Sequence, residues 1–158
     1  MNTQLLAAAQ AFISLEADML DHAEYDEWLD LWADDGLYIV PIDADATDFA
    51  NTLNYAHDDA TMRRQRVTRL RSGEAVSTTP PPRVLRSVSR LRLLGEQGDV
   101  LSVRCAQMLD EFSKGRQVHY AADVSYELER AGESFRIRRK IVRLVNSEAT
   151  LQAIAYIL

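Results

Sequence analysis

The chain has one cysteine, three histidines and two lysines in 158 residues, and no basic residue of any kind before position 63. A single thiol, Cys105, excludes an internal disulfide and any cluster held by several cysteines. It sits in an alternating apolar run and reads as a small buried hydrophobe of a strand, in a protein of a reducing, cytoplasmic compartment. Long apolar runs are missing too. Leu5 to Leu15 is interrupted by Gln10 and closed by Glu16 and Asp18, too short and too broken to span a bilayer. It carries no basic leader of the kind a secretory signal has, so it is expected to be an amphipathic helix. No segment repeats, and residues 1–158 are expected to form one domain.

The missing cations divide the chain. Residues 1 to 62 carry 14 acidic side chains and no basic one, whereas residues 63 to 158 carry all 18 basic and 10 acidic ones. The halves are therefore −14 and +8 within a net charge of −6. Such a split favours attraction between the halves, inside one chain or between subunits. A nucleic-acid surface is not expected, because most of the arginines alternate along predicted strands and are not interleaved with aromatics.

What is present organises as helices followed by strands. Leu5, Leu6, Ala9, Phe12, Ile13, Glu16, Met19 and Leu20 follow the spacing of a helix over residues 3 to 22. A second helix is expected over 24 to 34, with Tyr25, Trp28, Leu29 and Trp32 on one stripe and Gly36 as its stop. Residues 37 to 42 read as a strand and 43 to 57 as a loop rich in Asp and Asn. Asp58 or Asp59 is expected to cap a third helix ending at Ser72-Gly73, with Arg63, Arg64, Arg66, Arg69 and Arg71 on its exposed side. "STTPPP" (77 to 82) reads as an extended connector. From residue 83 the period becomes two: Val118, Tyr120, Ala122, Val124, Tyr126 and Leu128 alternate with wetter residues, as do Leu101, Val103, Cys105 and Leu109. Phe135 and Ile137 keep one parity, but Val142 and Leu144 take the other, which predicts a β-bulge near Lys140. "GEQGD", "FSKGR" and "RAGES" read as hairpin turns. The expected fold class is α+β, a cone-like domain with about three N-terminal helices packed on a strongly curved antiparallel sheet of about five to six strands.

Four segments, in order, resemble the small (beta) subunits of bacterial aromatic-ring-hydroxylating dioxygenases. They are "YDEWLDLWADDGLYIVP", "NYAHDDATMRRQRVTRLRSG" with its Arg-Leu-Arg-x-Gly end, "PPPRVLRSVSRLRL" with its Pro-Pro-x-Arg opening, and "SFRIRRKIVRLVN". The chain departs from that pattern at Arg86 and Arg90, where the family often has His and Asn, and at Ala122 and Asp123, where it often has Gly-Arg. The resemblance implies the cone fold shared with nuclear transport factor two and ketosteroid isomerase. It also implies a partner, the large (alpha) subunit, with a Rieske iron–sulfur cluster, a mononuclear iron and electrons derived from NADH. The implied assembly is a heterohexamer of three large and three small subunits, the small ones self-associating as a trimer. The implied role is structural and non-catalytic, with no nucleic acid and no membrane. The short length and N-terminus look more like the benzoate- or salicylate-type subunits than the longer biphenyl or naphthalene ones.

The residues of the chain agree that the iron chemistry lies elsewhere. A Rieske centre takes two Cys and two His, and a mononuclear oxygenase iron takes two His and a carboxylate. One Cys, with His22, His57 and His119 at no ligand-like spacing, is expected to hold neither. The same cone hosts isomerases and dehydratases, so the alternative is a stand-alone enzyme of that kind, or a binding-only homodimer. In ketosteroid isomerases the base is an aspartate just before the strand-ending proline; here that position is Val40, which cannot accept a proton. Those enzymes also draw an oxyanion donor from a first-helix tyrosine, and no tyrosine precedes Tyr25. A dehydratase-like site would have to use Tyr25, Asp26 and His119 as its main pocket residues, with His57 and Tyr120 near them. The aromatic-acidic run at 25 to 41 is expected to be scaffolding, with Tyr25, Trp28 and Trp32 in the core. Arg69 and Arg83, each beside a break in regular structure, are expected to pair with carboxylates of the acidic half or of a neighbouring subunit, and Tyr25, Trp28, Arg69 and Arg83 are the candidate structural or interface residues.

Overall fold

The first helix, α1 (Thr3–Asp21), is capped by Asn2, whose side-chain oxygen accepts from the Leu5 N–H at 3.0 Å. Its buried stripe is Leu5, Ala9, Phe12, Ile13, Glu16, Ala17 and Leu20. In the computed structural model, which describes residues 2–72, 82–145 and 156–158, the chain continues through α2 (Tyr25–Leu29), β1 (Trp32–Pro41), a 3-10 turn (Phe49–Asn51), β2 (Asn54–Asp58) and α3 (Ala60–Ser72). Four long strands follow: β3 (Arg83–Gln97), β4 (Val100–Ser113), β5 (Arg116–Ala131) and β6 (Ser134–Leu144). The connector expected at 77 to 82 lies outside the described residues except for Pro82.

The six strands form one curved sheet in the order β2-β1-β6-β5-β4-β3, with the helices on its inner face. β3 to β6 are a meander of antiparallel hairpins. At the β4–β5 turn both Lys114 and Gly115 have positive φ, 53° and 75°, as a tight two-residue hairpin turn of the right twist requires. β1 pairs antiparallel with β2 but parallel with β6, so the sheet is mixed rather than wholly antiparallel. The reason is local: α2 feeds β1 into the sheet alongside β6 and in the same direction, with Ile137 N–H donating to the Leu31 carbonyl at 2.8 Å.

Three expectations are corrected. The second helix is one turn long, and residues 32 to 35 belong to β1. Trp28 and Trp32 therefore do not share a helical stripe; they meet across the helix-to-strand corner, ring centroids 5.5 Å apart and edge to face. Gly36 is not a helix stop but lies within β1, where a Cβ would sit 2.7 Å from the Ile137 carbonyl oxygen and 2.8 Å from the Trp32 ring. The segment 43 to 57 is not all loop: its last residues form β2, a short edge strand whose Asn and Asp content hid it.

The bulge on β6 is present. Glu127 pairs with Arg139 and Leu128 with Ile137, which leaves Arg138 as the extra residue. Because side chains alternate strictly along a strand, one extra residue flips all that follow. Phe135 and Ile137 face inward before it, and Lys140, Val142 and Leu144 face inward after it. Ile141 turns to the outer face, where it joins Ile39, Ala46 and Phe49 in a second, smaller core.

Gly36→Ala is expected to cost about 1–3 kcal/mol, since backbone atoms of β6 and a packed indole must both shift to admit the methyl. Urea unfolding checks it, and an unchanged midpoint would contradict the packing described.

Candidate functional site

A carboxylate stands in the middle of the apolar core. Glu16 lies on the buried stripe of α1 and is 1 % exposed. Its Oε1 accepts from Lys140 Nζ at 2.7 Å and from the Trp28 indole N–H at 3.1 Å, and its Oε2 accepts from the Tyr126 hydroxyl at 2.7 Å. Lys140 is equally buried and also lies 5.6 Å from the Tyr126 ring centroid. Burial pushes the Lys140 ammonium below its ordinary pKa and Glu16 pulls it back up, while burial and Glu16 together hold the Tyr126 phenol well above its own. Nearby Cys105 is pushed up to about 12, first by burial, and stays a thiol. A single carboxylate thus joins α1, α2, β5 and β6 through three hydrogen bonds, two of them from neutral donors.

A second buried pair closes the end of α1. Asp21 Oδ2 accepts from the Arg86 backbone N–H at 2.8 Å, and Asp21 Oδ1 pairs with the Arg86 guanidinium. The same guanidinium donates to the Ile157 carbonyl. Residues 156–158 are seated in the core beneath the sheet, with Tyr156 hydroxyl donating to Glu111 at 2.7 Å and the Leu158 N–H donating to the Tyr38 hydroxyl at 2.9 Å. A third anchor fixes α3. Arg66 binds Asp58 through two bonds of 2.6 and 3.1 Å, and Arg63 donates to the Gly36 carbonyl while stacking 4.1 Å from the centre of the Trp32 ring. Arg63 is therefore inside, not on the exposed side of its helix, and burial lowers its guanidinium to about 10.

The residues singled out from the sequence are spread across this framework. Trp28 is central to it. Tyr25 is half-buried at the start of α2, its phenol raised by burial against the pull of Arg86 and Arg71. Asp26 is exposed and pairs with Arg71 at 2.9 Å. His119 is exposed on the outer face of β5, paired with Asp110 of β4. The sheet stands between His119 and Tyr25, and His57 is also on the outer side, opposite Ile39. Tyr120 faces inward. Arg69 and Arg83 are exposed, and among the described residues neither has a carboxylate partner. Glu16, Asp21, Arg86 and Lys140 were not singled out as site residues. The signal for Glu16 was its place on the apolar stripe, and for Lys140 the change of parity beside it.

Chemically, the arrangement holds elements together rather than presenting a reactive group. Both Glu16 oxygens are occupied by protein donors, whereas a general base must reach its substrate's proton. Among the described residues no three His, Cys, Asp or Glu side chains converge as a metal site.

The family model described as "Ring hydroxylating beta subunit" matches residues 15–150. The chain is 24 % identical over 153 residues to the anthranilate 1,2-dioxygenase small subunit of Acinetobacter baylyi, covering 94 % of each. It is 32 % identical over 131 residues to the small oxygenase component of the p-cumate 2,3-dioxygenase system of Pseudomonas putida, covering 79 % of this chain and 71 % of the relative. Its fold matches the crystal structure of the benzoate 1,2-dioxygenase beta subunit from Burkholderia mallei with a TM-score of 0.74 at 24 % identity, covering 90 % of this chain and 92 % of that one.

Two outcomes test the buried network. Glu16→Gln leaves the Lys140 ammonium buried without a counter-charge and is expected to cost about 3–5 kcal/mol. Adding Lys140→Met should recover at least half of that loss in urea unfolding; a loss below about 1 kcal/mol for the single variant would contradict the network's importance. The second outcome concerns alkaline pH. Tyr38, Tyr126 and Tyr156 are held well above the ordinary tyrosine pKa, all three chiefly through burial. Folding then holds protons that the unfolded chain releases, so their stabilisation is complete below about pH 10 and is lost as pH rises beyond it. Titration of phenolate absorbance should show these three of the six tyrosines ionising only as the chain unfolds; their ionisation in the folded state would contradict it.

Proposed function

Because the chain belongs to the ring-hydroxylating beta subunit family, and is thus a small subunit of a multicomponent aromatic-ring dioxygenase, an oxidoreductase, we propose that its own contribution is structural and non-catalytic. The observation that carries this is the way the centre of the core is tied together by its own polar groups. The carboxylate and ammonium at its centre are bound to each other and to Trp28 and Tyr126, and residues 156–158 pack into the same core. The stand-alone isomerase or dehydratase reading draws no support from the placement of Tyr25, Asp26 and His119, since the sheet separates His119 from the two α2 residues.

The iron belongs to the partner in this reading. One buried thiol, held protonated, does not fit a Rieske cluster, and the histidines at the end of α1, on β2 and on β5 do not fit a two-histidine iron site. The large subunit would supply both centres and the aromatic pocket, with electrons from NADH. The small chain would trimerise and hold three large subunits in a cytoplasmic heterohexamer, keeping one subunit's cluster near its neighbour's iron. No helix among the described residues is long and apolar enough to cross a membrane.

Arg83, exposed at the start of β3 and free of an internal partner among the described residues, is the interface residue to test. Arg83→Ala is expected to leave the fold intact and to weaken the complex with the large subunit. Native mass spectrometry of the co-expressed subunits reads it, and an undiminished complex would contradict the role given to Arg83.

A further inference from the structure

Three cations are buried among the described residues, and they are not satisfied alike. Lys140 has Glu16, and Arg86 has Asp21. Arg63 is 2 % exposed, and among the described residues no carboxylate pairs with it. It is held by main-chain oxygens instead, those of Gly36 and of Asp58, the latter at 3.3 Å. The Asp58 carboxylate is taken by Arg66 through two bonds. The Nε–H of Arg63 has no acceptor among the described residues. The ring on which Arg63 stacks shares the deficit: Trp32 is 4 % exposed, and its indole N–H has no acceptor either. The other tryptophan, Trp28, gives its N–H to Glu16. Both deficits cost stability, the unpaired charge more than the unpaired N–H.

The two side chains belong to one cavity. The guanidinium lies 4.1 Å from the ring centre, and both residues wall a space of about 590 Å³ between α2, the start of β1, α3 and β6. That is the size of space that holds a small molecule. Leu29 of α2 and Ala60 of α3 supply apolar wall. The exposed lining carries both signs, Arg64 and Arg136 against Asp30 and Asp34, and among the described residues none of the four is paired with an opposite charge. Asp26 also lines the cavity but is paired with Arg71. The buried donors call for an acceptor oxygen, and the guanidinium calls for a charged one. A bare carboxylate would be repelled by Asp30 and Asp34. A molecule with an ammonium beside its carboxylate meets attraction from both sets of charges.

We propose that this cavity binds a small aliphatic amino carboxylate: the carboxylate is taken by the Arg63 guanidinium and the Trp32 indole N–H, the ammonium by Asp30 and Asp34, and the aliphatic body lies against Leu29 and Ala60. The exposed side chains of Arg64 and Arg136 are long and wall the same space, so they turn aside as the ligand reaches the buried donors. The step is binding alone, with no bond made or broken. Occupancy ties α2, β1 and α3 together at the corner where the helix feeds the sheet, and it stabilises the chain by mass action. The site stands on residues of this chain and does not depend on the subunit reading.

The two tryptophans make the test direct, since each gives one indole N–H signal in a nitrogen-15 NMR spectrum of the full chain. The probes are L-leucine, 4-methylpentanoate, which lacks the ammonium, and 3-methylbutylamine, which lacks the carboxylate. Leucine is expected to move the Trp32 signal downfield and saturably, with a Kd of about 1 mM or tighter, while the Trp28 signal, already bonded to Glu16, stays. 4-Methylpentanoate should bind at least about tenfold more weakly, and 3-methylbutylamine should leave the Trp32 signal in place. The paired change Asp30→Asn and Asp34→Asn, both at exposed positions, should erase leucine's advantage over 4-methylpentanoate with the circular dichroism unchanged. Equilibrium dialysis of radiolabelled leucine against the complex with the large subunit should find one leucine per small chain. A Trp32 signal that none of the three probes moves below about 10 mM would overturn the site. Movement by the amine alone would overturn the assignment of the carboxylate, and equal binding of leucine and 4-methylpentanoate would overturn that of the ammonium. Leucine bound by the free chain but excluded from the complex would give the cavity to the partner protein and overturn the small-molecule assignment.

Discussion

The architecture depends on one buried ion pair. Glu16 and Lys140 come from opposite ends of the sequence, 124 positions apart, and meet where neither is more than 1 % exposed. A charge in such a place is costly unless it is paired and its remaining bonding capacity is used. Glu16 meets that condition by taking Trp28 and Tyr126 as well, so three separate elements must be in register with α1 before the core can close. The bulge at Arg138 is part of the same constraint. Without the extra residue Lys140 would face outward, and the carboxylate would lose the cation bound to it.

The division of charge along the sequence becomes a set of long-range links in the fold. Glu16 with Lys140, Asp21 with Arg86, Asp26 with Arg71, Asp35 with Arg138 and Asp58 with Arg66 all join the acidic half to the basic half. The buried ones do more than the exposed ones, because solvent screens the latter. Asp21 and Arg86 fix the end of α1 to β3 and reach the Ile157 carbonyl, and Asp58 with Arg66 holds α3 against the short strand β2. Among the described residues, acidic side chains without a cation remain on α2 and the 43–53 loop, and arginines without a carboxylate on α3, β3, β4, β5 and β6. That remainder is available to neighbouring subunits.

Much of the fold was legible because periodicity is a strong signal over long elements. The 15-, 14- and 16-residue strands β3, β4 and β5, their three hairpin turns and the parity change in β6 can all be read from alternation. The short elements were not legible. Five-residue α2 and five-residue β2 carry too few periods to separate helix from strand, and the aromatic run at 25 to 32 mimics one helix while turning a corner. The parallel pairing of β1 with β6 is a tertiary choice that neither segment announces. The same limit applied to the interior: aromatic Trp28 declared itself as core, whereas Arg63 read as a cation on the exposed side of its helix, and nothing in the pattern marked Arg86 and Lys140 as buried until their partners were in place.

At the centre of the core Glu16 and Lys140 bind each other, and Trp28 and Tyr126 take up the rest of the carboxylate. The most direct measurement is native mass spectrometry combined with iron analysis on the wild-type chain, tagged and purified from cells that also make the large subunit. The account predicts equal numbers of the two chains, with all the iron accompanying the large one. An iron-free homo-oligomer that transforms a substrate by itself would contradict it.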